Sequence, residues 1–172
     1  GRGAHAEAAT ALDIEARKRA MGEDAVLLIK HPPLVREWPA IPEGCRDFAF
    51  DVTRDIAINE LICSADAVIS DYSSLVFEYS LFGRPMVFFA FDQDEYADWR
   101  GLYYDYDALT PGPVCTPTEE VIQAIAESAE SVDSFEVDKC RDRCMGAGDG
   151  HATDRVIEFA LGREILEKSL KG

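Results

Sequence analysis

The sequence predicts an α/β domain built on a largely parallel, Rossmann-like sheet flanked by helices. Two observations point there. Short apolar runs rich in β-branched and aromatic residues recur along the chain, and helix-like stretches fall between them. A third is the absence of any internal repeat, low-complexity tract or domain linker, so a single domain over 1–172 is expected.

The elements follow in order. Residues 4–21, AHAEAATALDIEARKRAM, are Ala- and charge-rich and read as a helix stopped by Gly22. AVLLIK (25–30) is a buried strand ended by HPP. After a proline-rich loop, DFAFDV (47–52) is a second strand, and IAINELICS (56–64) a short helix. DAVISD is the third strand, 74–82 a helix, and PMVFFA the fourth strand. The acidic, aromatic stretch FDQDEYADWRGLYYDYDALTPGPV has no clean period and is expected to be a long ordered loop. In TPTEEVIQAIAESAE, Thr116 stands as N-cap, Pro117 at the first helical position and Glu119 three residues after the cap. A helix over 135–145 follows, and DGHATDRVIEFALGREILEKSLK closes the chain as a long helix with Val156, Ala160, Leu161, Ile165 and Leu166 on one face. Folds of this type begin with a strand, whereas this chain begins with a helix. The first strand is therefore expected to be missing, and the chain to be a piece of something larger.

Composition narrows the function. Thirty-three acids against 17 bases give a net charge of -16. No basic footprint for nucleic acid is visible, and an anionic membrane surface would repel the chain. No run approaches the ~20 apolar residues of a membrane span, and GRGAHAEAAT lacks the hydrophobic stretch of a signal peptide. The five cysteines have no CxxC spacing and read as reduced cytosolic thiols. Cys140, Cys144 and His151 fall short of the four ligands of a structural zinc site, so neither metal nor cofactor is expected.

Three clusters are candidates for chemistry. In open α/β sheets, ligands sit beyond the carboxyl ends of the strands, where loops enter helix N-termini. SDYSS (70–74) occupies such a joint. The free N–H groups of the following helix, the partial positive charge of its dipole and the hydroxyls of Ser73 and Ser74 suit a phosphate. Glu78, one turn deeper on the face of Ser74, is placed to accept from ribose hydroxyls. Ser and Asp are also ordinary N-caps, so DYSS equally reads as a cap with Glu78 a solvated acid. At the end of LLIKHPP, Lys30 and His31 sit on the same side of the sheet, and His31 suits a phosphoryl contact or acid–base chemistry. The competing reading is a loop histidine bonded to a local carbonyl. In DGHATDR, Arg155 either reaches an anion or pairs with a neighbouring acid.

Together LLIKHPP, DVTRDIAINELICSADAVISDYSSLVFEYSLFGRPMVFFAFDQDEY, RGLYYDYDALTPGPV and DGHATDRV resemble the C-terminal domain of the CDP-glycerol glycerophosphotransferases, the teichoic-acid primases and polymerases. The resemblance implies the C-terminal half of a GT-B glycosyltransferase-type fold that binds the nucleotide-activated donor. It implies transfer of glycerol phosphate from CDP-glycerol, or a related CDP-polyol such as CDP-ribitol, to a lipid-linked acceptor with release of CMP. By position it makes His31 catalytic. It matches Ser73 and Ser74 to the donor-phosphate loop and Asp149 and Arg155 to the closing motif; with Lys30, Asp71, Glu78 and Arg100 these are the residues expected to bind the donor. The family's Trp-His-Gly motif is absent. The acceptor would thus be held by a missing N-terminal domain, this fragment would be inactive alone, and the whole enzyme would sit peripherally on the cytoplasmic face of the membrane.

Two rivals stand beside this reading: a donor domain for a UDP-hexose, and a non-catalytic α/β binding module using the aromatics Trp99, Tyr103, Tyr104 and Tyr106.

Overall fold

In a computed structural model of the protein, the structure describes residues 13–32, 40–93, 98, 106–130 and 134–162. Within them the chain forms α1 (Ile14–Met21), β1 (Leu27–Ile29), a 3₁₀ turn (Glu43–Cys45), β2 (Ala49–Asp51), α2 (Ile58–Ser64), β3 (Val68–Ser70) and α3 (Leu75–Tyr79). A 3₁₀ turn (Ser80–Phe82), β4 (Met86–Phe89), α4 (Tyr106–Leu109), β5 (Val114–Cys115), α5 (Thr118–Glu130), α6 (Ser134–Met145) and α7 (Ala152–Leu161) complete it. Among the described residues every strand pairing is parallel, in one two-stranded and one three-stranded sheet. β1 lies beside β2 with Leu28 opposite Phe50, and β4 lies between β3 and β5 with Ile69 opposite Val87 and Phe88 opposite Val114. The expected parallel α/β architecture is what the chain adopts.

β4 is the centre of the packing. MVFF is buried throughout, because helices cover both of its faces. Alternation sends Met86, Phe88 and Ala90 to one side, against Ile62, Val76, Tyr79, Tyr106 and Val137. Val87 and Phe89 go to the other, against Val121 and Ala124 of α5. Fully burying each such side chain contributes about 2 kcal/mol. Tyr79 is buried with its hydroxyl donating to the Ala65 carbonyl at 2.9 Å. Arg84 donates to that same carbonyl and to that of Cys63, so the Arg of GRP closes the C-terminus of α2.

Several expected boundaries shift. The helix over 74–82 is α-helical only through Tyr79; it tightens to 3₁₀ and stops at Gly83, whose φ of 62° is left-handed. The stretch read as a loop after β4 contains α4 and β5, because a two-residue strand between Pro113 and Thr116 is too short to show a period. At the start of α5, Glu120 rather than Glu119 accepts from the Thr116 N–H. The closing helix is also shorter than expected. α7 stops at Leu161 before Gly162, whose φ is 88°. Val156 and Leu161 are exposed, and Phe159 is 95% exposed. Ile165 and Leu166 lie outside the described residues.

Gly112 sits where a β-carbon would overlap the Met86 carbonyl oxygen. Gly112→Ala is therefore expected to push β5 off β4 and cost about 3 kcal/mol, the upper end of ordinary overpacking. Urea denaturation checks this; a loss below 0.5 kcal/mol (roughly the surface-mutation range) would show that β5 shifts without consequence.

Candidate functional site at the strand carboxyl ends

β1 and β2 run parallel and end on the same side of their sheet, and β3, β4 and β5 run parallel in the second sheet. At the end of β1, Lys30 turns its ammonium back onto the Thr53 and Ile56 carbonyls, at 3.1 and 2.6 Å. It thereby pins the turn after β2. The His31 N–H donates to the Thr53 hydroxyl at 3.0 Å, and the Thr53 N–H donates to Asp51 at 2.9 Å. Asp51 and Thr53 thus build the wall on which His31 is mounted.

Partial burial pushes the His31 imidazole below its ordinary 6.5, with the Asp51 carboxylate pulling the other way. Asp51 itself lies below the usual carboxylate range. Desolvation works against that, but hydrogen bonds from the Thr53 hydroxyl and N–H outweigh it, aided by the charges of His31 and Arg54. The result is a half-buried imidazole, neutral near pH 7, held beside a carboxylate at the mouth of the sheet.

Beyond β3, the SDYSS joint is open to solvent at Ser73 and Ser74. The Ser73 Oγ accepts the Leu75 N–H at 3.3 Å, a loose cap, while Ser74 makes no side-chain cap bond. Both hydroxyls therefore face outward beside the first N–H groups of α3. Glu78 is exposed one turn on. Asp71 is half-buried, and its carbonyl accepts from the Tyr106 hydroxyl at 2.7 Å. The Tyr72 hydroxyl donates to Asp92 at 2.9 Å, and the Tyr72 and Tyr106 rings pack 5.3 Å apart. Burial first, then the bond to Asp92, raises the Tyr72 pKa, so that this phenol stays protonated. Tyr72, Asp92 and Tyr106 stiffen the loop carrying the serines.

The third cluster is placed elsewhere. Arg155 makes a two-pronged bond to Asp149 at 2.8 and 3.0 Å and also donates to the Ala147 carbonyl. That bond, then the one from the His151 N–H, lowers the Asp149 pKa to about 2. Gly148 lies beside the Leu81 side chain, at the end of the 75–82 segment remote from Ser74. The structure places Lys30 and His31 at the carboxyl end of β1 and Asp71, Ser73, Ser74 and Glu78 beyond the carboxyl end of β3, and bonds Asp149 to Arg155. Arg100, Trp99, Tyr103 and Tyr104 lie outside the described residues.

The sequence reading missed Asp51, Thr53 and Asp92, and named Tyr106 only within an aromatic cluster, whereas it packs in the core. Only Asp51 and Thr53 left a local trace: Asp-x-Thr after a strand is a side-chain-to-backbone turn signature. A shallow pocket formed by Leu109, Thr110, Pro111, Lys139 and Cys140 lies at the amino end of β5, opposite the serine edge. Among the described residues, no three His, Cys, Asp or Glu side chains converge as metal ligands, and no helix is long and apolar enough to cross a membrane.

The family model of CDP-Glycerol:Poly(glycerophosphate) glycerophosphotransferase matches residues 1–162. The Bacillus spizizenii teichoic acid poly(ribitol-phosphate) polymerase is 37% identical over 150 residues, 86% of this chain and 23% of its own length. The teichoic acid poly(glycerol phosphate) polymerase of the same organism is 32% identical, over 88% of this chain and 38% of its own. The structure of the wall teichoic acid polymerase TagF superposes with a TM-score of 0.73 at 27% identity, covering 94% of this chain and 40% of that one. A variant of TagF soaked with CDPG gives 0.71 at 26% identity, again over 94% and 40%. The chain thus spans well under half the length of these relatives.

The coupling of His31 to Asp51 is open to titration. Below pH 6.5 the unfolded chain takes up a proton that folded His31 resists, so this contribution to stability is whole above 6.5 and is lost as pH falls below it. Asp51→Asn removes the carboxylate that favours the imidazolium, and is expected to lower the His31 midpoint further. NMR titration of the ring protons checks both; an unmoved midpoint in Asp51→Asn would separate the two residues.

Proposed function

The chain belongs to the CDP-glycerol:poly(glycerophosphate) glycerophosphotransferase family, and on that premise we propose that residues 1–172 are a single donor-binding domain of a longer transferase. It holds a CDP-activated polyol, with glycerol as the polyol. The observations behind this reading are two exposed serines at the helix start after β3 and a neutral imidazole at the end of β1, both at strand carboxyl ends, where open parallel sheets bind ligands. The TagF structures named for a CDPG soak support the donor class.

In this reading the pyrophosphate lies over Ser73, Ser74 and the first N–H groups of α3, and the ribose hydroxyls donate to Glu78. Asp71 closes the pocket through its loop. The acceptor hydroxyl attacks the glycerol-bearing phosphorus, that P–O bond forms as the bond to the bridging oxygen breaks, and CMP leaves with the electron pair. This is phosphoryl transfer by positioning and charge stabilisation. His31, neutral beforehand, takes the proton of the acceptor hydroxyl as that P–O bond forms, and the resulting imidazolium faces the phosphoryl oxygens. Lys30 supports the site by fixing the turn that carries Thr53. Asp149 and Arg155 form a clasp at the base of α7. The lipid-linked acceptor, and any engagement of the cytoplasmic membrane face, belong to the remainder of the longer protein. The 37% identity to a ribitol-phosphate polymerase gives CDP-ribitol the second claim as donor.

A thermal-shift titration with CDP-glycerol, CDP-ribitol, CDP, UDP and UDP-N-acetylglucosamine tests the donor class. Cytidine ligands are expected to stabilise more, by about 2.7 kcal/mol at 100 times the dissociation constant. A uridine preference would move the assignment to a sugar nucleotide, and no shift with any ligand would remove it. The paired substitution His31→Ala with Ser74→Ala should abolish the cytidine shift while leaving the unliganded melting temperature within a few degrees; a retained shift would exclude these strand ends.

Affinity should also depend on pH. A bound pyrophosphate raises the His31 pKa above its depressed free value, so CDP binding strengthens as pH falls through the bound value and levels off below the free one. Isothermal titration from pH 5 to 8 checks this, with His31→Gln expected to flatten the profile.

A further inference from the structure

β3 and β4 are hydrogen-bonded neighbours that run parallel with Ser70 opposite Phe88, so their carboxyl ends open side by side. Past β3 the chain enters the SDYSS joint; past β4 it continues through Ala90 and Phe91 to Asp92. The alternation of β4 carries on into this segment. Met86, Phe88 and Ala90 lie in the core on the α3 side, whereas Val87, Phe89 and Phe91 pack on the α5 side, with the Phe89 and Phe91 rings 5.5 Å apart. Asp92 is next in the first row, which places it on the face that carries α3. Its hydrogen bond agrees. The Tyr72 hydroxyl that donates to it belongs to a ring packed on that same core.

The Tyr72 hydroxyl fixes the Asp92 carboxylate beside the serine loop, and it does so through Oδ1 alone, at 2.9 Å. Among the described residues nothing donates to Oδ2. Asp92 is half-buried, so this second oxygen is neither sealed in the core nor fully given to water. Such an oxygen is best satisfied by a partner that donates. Burial and the bond to Asp92 keep the Tyr72 phenol protonated, so that its hydroxyl stays a donor. Asp71, the acid on the other side of Tyr72, is a weaker candidate. Its carbonyl is held by the Tyr106 hydroxyl, but no described residue bonds its carboxylate and sets its direction. Only a group held in place beforehand discriminates well between ligands.

A carboxylate oxygen accepts hydrogen bonds and offers none. The donors on a CDP-activated polyol are the cytosine 4-amino group, the ribose hydroxyls and the polyol hydroxyls. In the donor reading the ribose goes to Glu78, and the polyol-bearing phosphorus lies against His31, which follows β1 and not β3 or β4. The base is what remains for Asp92. Tyr72, the neighbour of Ser73, reaches Asp92 with its whole length, a span comparable to that from phosphate to base in a nucleotide. Cytosine and uracil differ at the atom in question, since cytosine presents an amine donor there and uracil a carbonyl acceptor.

On the donor reading, on which this rests, we propose that Asp92 determines specificity for the base: its Oδ2 accepts from the cytosine 4-amino group and repels the uracil 4-carbonyl, and Tyr72 is the positioning residue that holds it there.

Isothermal titration of residues 1–172 tests this with CDP, UDP, inorganic pyrophosphate, CDP-glycerol, CDP-ribitol and a CDP analogue whose 4-amino group is replaced by hydrogen. The wild-type chain should bind CDP at least about tenfold more tightly than UDP or the analogue. In Asp92→Asn the side-chain oxygen still accepts from Tyr72, which turns the amide nitrogen outward as a donor. This variant should lose the preference for CDP over both competitors, or reverse it toward UDP, with pyrophosphate affinity unchanged within about twofold. Tyr72→Phe should narrow the CDP-to-UDP ratio and leave pyrophosphate binding in place. A cytidine preference that survives whole in Asp92→Asn would overturn the role of Asp92 and leave the donor reading standing. Equal binding of CDP and UDP by the wild-type chain, or no binding of any ligand, would overturn the donor reading and this proposal together. Loss of pyrophosphate binding in Asp92→Asn would also overturn the proposal, by making Asp92 a support of the serine loop. So would a change confined to the ratio of CDP-glycerol to CDP-ribitol, which would put the polyol against Asp92.

Discussion

Everything in this molecule hangs on the fact that β4 has no solvent face. Four consecutive apolar residues can be buried at once only if strands flank both edges and helices cover both sides. Met86 and Phe88 hold α2, α3, α4 and α6 on one side, and Val87 and Phe89 hold α5 on the other. Gly112 lets β5 come close enough to complete the ladder. The position of α3, and with it the serine edge, follows from Val76 and Tyr79 packing on β4.

The polar groups near the proposed site divide into those that bear on a ligand and those that support them. Lys30, Arg84, Tyr72 and Tyr106 all direct their charge or hydroxyl at a carbonyl or carboxylate of the protein. Such bonds are individually worth about 1 kcal/mol, but they hold loops that have little apolar area of their own. Among the described residues of the proposed site, Ser73, Ser74 and Glu78 are exposed and His31 is half-buried. In a chain of net charge -16, an anion binds by local donors and not by the overall field. Serine hydroxyls beside helix N–H groups, and an imidazole at a strand end, are what offset that repulsion.

Asp149 and Arg155 show how a pairing inside a motif is decided by the fold. The sequence placed both at the start of the last helix and left Arg155 undecided between an anion and an acid. The structure gives it the acid, six residues back, because the turn through Gly148 and Gly150 folds Asp149 under the helix start. No local pattern announces a bond between groups on either side of a left-handed glycine turn.

By itself the sequence determined the class of fold and the family to which the chain belongs. Each of these is written in short-range terms. Strand and helix periods set the alternation of elements, and the joints LLIKHPP and SDYSS carry their own chemistry. The tertiary structure alone decided that Lys30 is spent on two carbonyls, that Asp51 and Thr53 mount His31, that Arg17 lies buried with donors unmet, and that among the described residues the strands pair as a two-stranded and a three-stranded sheet. Those facts join residues 20 or more positions apart, or concern which strands pair. A hydrogen bond between distant segments depends on where the fold brings them, and an open strand edge has the same local sequence as a paired one.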